Sequence, residues 1–314
     1  MRALAFLLLY SLVLFLPASA RPYNFMLSDK NLSSSLVNSI YQDRDGIIWI
    51  STENGLNRYD GTKVTIYKHE ENNEHSLAHN YVRYMFEDAD GHFFVGNYMG
   101  LQLYRRDSDD FSELGTFADG SPLLSSPSYI TQTPSGDIFV SGNLACQVKV
   151  EDGKPVFLSP SWEGFPPSMT GELKLAKDGS LWCMKMNEGV YRVLPDGHKV
   201  ERYADEKPFS EAQSILRDTD GDIYIQTMTN DLYKLNPLNR NWIKLNATRI
   251  SNTNLKCIFR YDATHIIIGT DGNGLKMIDE TSGQVTDYVV DLPSLSSKYL
   301  KVHQIMRDRD GDLW

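Results

Sequence analysis

Five turn glycines, Gly46, Gly91, Gly136, Gly179 and Gly221, recur at intervals of 45, 45, 43 and 42 residues. Each sits inside a similar stretch. These begin at Ile40 (IYQDRDGIIWISTENGLNRYDG), Met85 (MFEDADGHFFVGNYMGLQLY), Thr131 (TQTPSGDIFVSGNLACQVKV), Leu173 (LKLAKDGSLWCMKMNEGVYRV) and Ile215 (ILRDTDGDIYIQTMTNDLYKL). The next unit, from Ile258, carries Ala263-Thr264 in place of the glycine, and IMRDRDGDLW from Ile305 restores it at Gly311. The units share a plan: an apolar run, a D-x-D-G type turn, a run rich in β-branched and aromatic residues, an N-G type turn and a third short run, with the first turn altered in the unit from Ile258 and the unit from Ile305 stopping in its second run. That pattern is a β-meander. Glycine suits both turns because it accepts positive φ, which costs a residue with a Cβ about 1–2 kcal/mol. A fourth run follows, such as KVTIY at residues 63–67 or WIKL at residues 242–245. Four strands per unit at a period near 45 predict an all-β chain. The architecture expected is a β-propeller of four-stranded antiparallel blades, six of them complete, plus the start of a seventh.

The termini carry separate signals. Arg2, the apolar run at residues 4–16 and Ala18-Ser19-Ala20 read as a secretory signal over residues 1–20. The run is shorter than the roughly 20 residues that a membrane span needs. The propeller is then expected over residues 21–314, with YNFML at residues 23–27 as a closing strand. Asp312-Leu313-Trp314 reads as the opening of a second strand in the seventh blade, so a C-terminally incomplete fragment is expected.

A formal net charge of −10 does not invite nucleic acid or anionic lipid, and it leaves a neutral sugar open as a ligand. The cysteines Cys146, Cys183 and Cys257 lie in or beside apolar runs without C-x-x-C spacing, which predicts small buried side chains rather than a metal site. Asp218, Asp220 and Asp222, like Asp308, Asp310 and Asp312, resemble a calcium loop at first sight. An EF-hand needs glycine at the sixth position and glutamate at the twelfth, and neither is met here. These carboxylates are read as acceptors for turn N–H groups, and no calcium is expected at micromolar levels. His69, His75 and His79 share one polar loop and are read as solvated. No G-x-S-x-G, P-loop or kinase motif occurs, so no catalytic residue, metal or cofactor is assigned. Glu53 and Glu188 could be put forward as a glycosidase pair, but they fall in blades one and four, across the ring.

The stretch DRDGIIWISTENGLNRYDG resembles the two-component regulator propeller repeat. The opening YNFMLSDKNLSSSLVNSIYQD resembles the start of the periplasmic sensor of Bacteroidetes hybrid two-component systems. The resemblance runs from about residue 22 to residue 314. It is strongest in the first two repeats and at residues 308–314, and weaker at residues 135–150 and 261–268, where the D-x-D-G turn is lost. It implies an exported, periplasmic propeller that detects oligosaccharides. The signal would pass through a second propeller, a sandwich domain and a membrane helix to a histidine kinase, a receiver and a DNA-binding domain, all beyond this chain. It also implies an inner-membrane, homodimeric parent that touches the membrane only through those later parts. Two other readings stand beside it: a protein-interaction scaffold and a carbohydrate-active propeller enzyme.

Ligand contacts are expected where the turns between second and third strands gather with the loops between blades. Those turns carry Asn54, Asn97, Asn143, Asn187, Asn230 and Asn273. The asparagines suit turn chemistry, and equally they form a ring of amides for sugar hydroxyls. Tyr98, Tyr129, Trp162 and Phe165 are expected on the same face as stacking surfaces. Trp162→Ala is therefore expected to weaken binding and leave the melting temperature nearly unchanged. Trp49, Trp182 and Trp314, at matched positions after the turn glycine, are expected in the core between blades.

Overall fold

The computed structural model describes residues 31–123, 126–142, 144–160, 162–165, 172–195, 197, 199–236, 241–245, 254–289 and 300–314. Residues 1–30, with the proposed signal and the YNFML strand, and Asn143 lie outside the described residues. Within them each repeat folds as a separate antiparallel sheet whose strands pair in chain order. Blade one is Val37–Gln42, Ile48–Thr52, Gly55–Tyr59 and Val64–Tyr67. Blade four is Lys174–Leu175, Leu181–Lys185, Gly189–Val193 and Val200–Tyr203. Six such blades form an all-β propeller.

The second strands explain why their runs are continuously apolar rather than alternating. Ile48–Thr52, Phe93–Asn97 and Ile223–Thr227 are buried at every position, because a neighbouring blade or loop covers each face. Trp49 of blade one has its ring 4.8 Å from both Phe93 and Tyr104 of blade two. Trp182 of blade four meets Trp242 of blade five at 5.6 Å. The matched tryptophans therefore pack between blades, as expected.

The D-x-D-G turn is held by its first aspartate. Asp43 Oδ1 accepts from the backbone N–H groups of Asp45 and Ile47, at 3.0 and 2.9 Å. Asp218 Oδ1 does the same for Asp220 and Asp222, and Asp308 Oδ1 for Asp310 and Asp312. The turn reading of these carboxylates is thus the one the geometry supports. Where glycine is lost, Asp262 Oδ1 still accepts from the N–H groups of Thr264 and His265.

The ring closes through residues 300–314. The Val302 N–H donates to Thr270 O of blade six at 3.0 Å, and Arg307 and Leu313 form an antiparallel bridge. On the other side Gln304 Oε1 accepts from Ser39 Oγ and the Ile40 N–H of blade one, at 2.9 and 3.0 Å. Arg309 donates to the Asp43 and Arg44 carbonyls, and the Trp314 ring lies 6.2 Å from that of Tyr59. The first hairpin of the seventh blade thereby bridges blades six and one.

Two features depart from the sequence reading. Thr116–Phe117, in the connection leaving blade two, pairs in parallel with Lys154–Leu158 and gives blade three a fifth strand. Blade two's own fourth strand is only Asp110–Phe111, so the chain is free early to cross to its neighbour's edge. Trp162 is the second departure: it is not an exposed loop ring. It is 8% exposed, with its ring 4.8 Å from Phe139 and 4.7 Å from Phe165. It belongs to the core that Leu181, Cys183 and Tyr191 build at the boundary of blades three and four. An apolar ring of this size lowers the free energy more by filling that gap than by facing water.

Candidate functional site

The first strand of each blade is innermost, and together these strands line a central channel of about 410 Å³. Arg83 comes from blade two, Tyr129 from blade three, Lys174 from blade four, Arg217 from blade five and Lys256 from blade six. His303 comes from the seventh segment. The Lys174 ammonium sits 4.3 Å from the centre of the Tyr129 ring and pairs with Glu172. Burial disfavours a charged Lys174, but the Glu172 carboxylate outweighs it, and the pKa rises above the ordinary lysine value. Burial first, and the Lys256 cation next, hold His303 below the ordinary histidine value.

At one end the channel lining reaches Tyr81, whose carbonyl accepts the Tyr98 N–H from the turn between second and third strands of blade two. Four such turns are tied to the segment that leads into their own blade. Glu53 N–H donates to Leu36 O, Tyr98 N–H to Tyr81 O, Met228 N–H to Glu211 O and Asp271 N–H to Asn254 O, at 2.8–3.1 Å. In these four blades the turn lies beside the segment that enters the same blade.

The asparagines of these turns do different jobs. Asn97 is fully buried; its Oδ1 accepts from the Met99 N–H at 2.9 Å and its Nδ2 donates to Gln102 Oε1 at 3.0 Å. Asn187 and Asn230 take left-handed backbone, with φ of 63° and 62°. Asn230 Oδ1 also accepts from Gln226 Nε2, and the Asn273 N–H donates to Thr270 Oγ1. Asn54 is exposed, its Nδ2 3.4 Å from Ser33 O. The Asn97 and Asn230 amides bond within their own blades, beside their own turns. Tyr98 is 63% exposed, with its ring 5.2 Å from that of His79. Trp162 offers almost no surface, and Tyr129 lies in a first strand rather than a loop, facing the channel.

Glu53 and Glu188 stay in blades one and four, and Glu188 is held by Lys185 at 2.7 Å. The three loop histidines are likewise separate. His69 Nδ1 meets Leu77 O, His75 Nδ1 meets Arg105 and His79 Nδ1 accepts from the Tyr81 N–H. Among the described residues, Asp88, Asp90 and His92 bring possible metal ligands within 4.8 Å of one another. There Asp88 Oδ1 already accepts the His92 N–H and Oδ2 meets His92 Nδ1, both at 2.8 Å, as in the other turns. Burial pushes the thiols up, to about 11 at Cys146 and about 12 at Cys183 and Cys257.

The channel cations were not singled out by the repeat. Arg83, Lys174 and Arg217 precede their turn glycines by eight, five and four residues, so aligning the repeats does not bring them into register.

Comparison with known proteins places this geometry. Residues 31–54 match the two component regulator propeller family. None of the curated proteins matches the chain. Among solved structures, one similar fold is an extracellular domain from B. thetaiotaomicron described as part of a hybrid two component system. It is 22% identical with a TM-score of 0.72 over 93% of this chain and 40% of that one. A second B. thetaiotaomicron extracellular domain, described as a one component system, is 16% identical with a TM-score of 0.67, over 88% of this chain and 38% of its own. Virginiamycin B lyase from Staphylococcus aureus, in a catalytically inactive form with quinupristin, shares the fold at 16% identity and a TM-score of 0.60. That match covers 83% of this chain and 86% of the lyase. The chain thus spans about two fifths of the two B. thetaiotaomicron domains. No helix among the described residues is long and apolar enough to cross a membrane.

Proposed function

We propose that this propeller is the periplasmic ligand-sensing part of a two-component regulator and that its ligand is an oligosaccharide. The observation that carries this reading is the regulator propeller repeat at residues 31–54, in a chain whose blades follow the architecture of two extracellular sensor-type domains. In this reading residues 1–20 export the chain, and the ligand binds at the turn face or in the channel. Later domains of a dimeric inner-membrane parent carry the signal to a kinase. The chain itself catalyses nothing. Its turns offer amides and the Tyr98 ring, and its channel is polar, which suits hydroxyl-rich ligands.

The test is titration calorimetry of the exported chain against a panel of oligosaccharides, with a reducing-sugar assay on the same samples. Saturable binding without release of reducing ends is expected. Turnover would replace the sensor with an enzyme, and no heat with any member of the panel would remove the saccharide.

A scaffold reading is favoured by one observation. Tyr98, Met99, Met186 and Met228 are all more than half exposed, and all lie on turns between second and third strands. Such tips suit a protein surface, including the second propeller of the parent.

A further inference from the structure

We propose that the central channel is an anion site, built to take the carboxylate of an acidic saccharide. This rests on the sensing reading for the saccharide and on the channel alone for the charge. The chain as a whole is acidic, at −10. Its channel is the reverse: four blades send Arg83, Lys174, Arg217 and Lys256 to the same cavity. The neighbouring acids balance two of the four. Glu172 pairs with Lys174, and Asp271 draws Lys256 to 3.2 Å. Asp218 Oδ2, at the cavity wall, is taken by Arg260 at 2.8 Å and by the Tyr224 hydroxyl at 3.1 Å, inside the packing of blades five and six. Among the described residues no carboxylate lies within ion-pair distance of Arg83 or Arg217. Arg83 rests over the Tyr81 ring at 5.9 Å, and Arg217 Nε donates to the Leu175 carbonyl at 2.6 Å, which fixes its guanidinium at the wall.

Cations gathered in a confined cavity repel one another more than they would in bulk water, and a bound anion relieves that repulsion. An arginine held at one nitrogen still presents N–H groups in a plane that matches a carboxylate. Tyr129 and Tyr84, with rings 5.0 Å apart, supply an apolar surface beside the cations, as a pyranose bearing an acid group requires. The cavity volume of about 410 Å³ lies within the roughly 300–1,000 Å³ of small-ligand sites.

The experiment is titration calorimetry of the full chain with digalacturonic acid, maltose and sodium sulfate, each at constant ionic strength. Digalacturonic acid is expected to bind and maltose not to. Arg217→Gln should weaken binding about tenfold or more, and added salt should weaken it further. Arg83→Gln should weaken it at an unchanged melting temperature, because that side chain is exposed. Equal affinity of wild type and both variants for digalacturonic acid would overturn the site. Sulfate binding as tightly as the diuronate would overturn its saccharide part. Maltose or another neutral oligosaccharide binding wild type and both variants alike would overturn the anion channel and leave the sensing reading standing.

Discussion

The Trp49 indole N–H donates to Asp43 Oδ2 at 2.8 Å, across six residues and one turn, and both side chains are buried. One carboxylate therefore holds the turn with one oxygen and the inter-blade tryptophan with the other. The pair recurs as Asp308 and Trp314 at 2.7 Å, and as Asp218 with the Tyr224 hydroxyl at 3.1 Å. Asp43→Asn sets an amide nitrogen against either the turn N–H groups or the indole. It should cost about 1.5–3 kcal/mol. A double-mutant cycle with Trp49→Phe, read by denaturant unfolding, should return a coupling energy clearly above zero. An additive pair would mean that turn and tryptophan are independent.

Trp162→Ala should lower stability by about 3–5 kcal/mol, as for other buried aromatic truncations. This reverses the expectation for a surface loop ring. Thermal melts of wild type and variant decide it, and an unchanged midpoint would return Trp162 to the ligand face.

Two turn glycines should differ in tolerance. Gly136 has a φ of 94° with no atom within 4 Å of an added Cβ, so Gly136→Ala should cost only the backbone term, about 1–2 kcal/mol. Gly189 has a φ of 115°, and its Cβ would stand 2.3 Å from the Tyr203 carbonyl oxygen of the adjoining strand. Gly189→Ala must also move that strand, so its melting temperature should fall well below that of Gly136→Ala. Comparable midpoints would contradict the close approach.

Acid should loosen the contact between blades five and six. Glu280 meets Arg260 at 2.6 Å, Lys234 at 2.9 Å and the Tyr224 hydroxyl at 2.9 Å. Burial alone would raise its pKa, but the two cations outweigh it and hold the carboxyl below its ordinary 4.5. A depressed folded pKa means that this stabilisation is complete above about 4.5 and is lost as pH falls through the lower folded value. Glu280→Gln should destabilise the protein at neutral pH by about 3 kcal/mol, with a smaller deficit in acid. Melts between about pH 3 and pH 7 check this, and a deficit independent of pH would exclude the ion pairs as its source.

The sequence by itself determined the blade. Turn aspartate, turn glycine, the β-branched and aromatic run after it and the period between units are all local. Each strand pairs with the next along the chain, so the order of strands follows from the order of runs. The asparagines of the second turn were legible in the same way, since Asn187 and Asn230 adopt the left-handed backbone that such turns ask for. Their part in binding a ligand is not a local property, and Asn97, sealed beneath its own turn, shows how position in the ring changes an identical signal. Only the tertiary structure decided what lies between blades. Trp162 is buried because blades three and four leave a gap at that point, and Thr116–Phe117 crosses because a neighbouring edge is open. Gln304 and Arg309 close the ring on residues more than 250 positions away. The channel charge is the clearest case. Arg83 and Lys256 occupy matched places in their first strands, Lys174 and Arg217 do not, and all four share a cavity because a closed ring points every first strand at one axis.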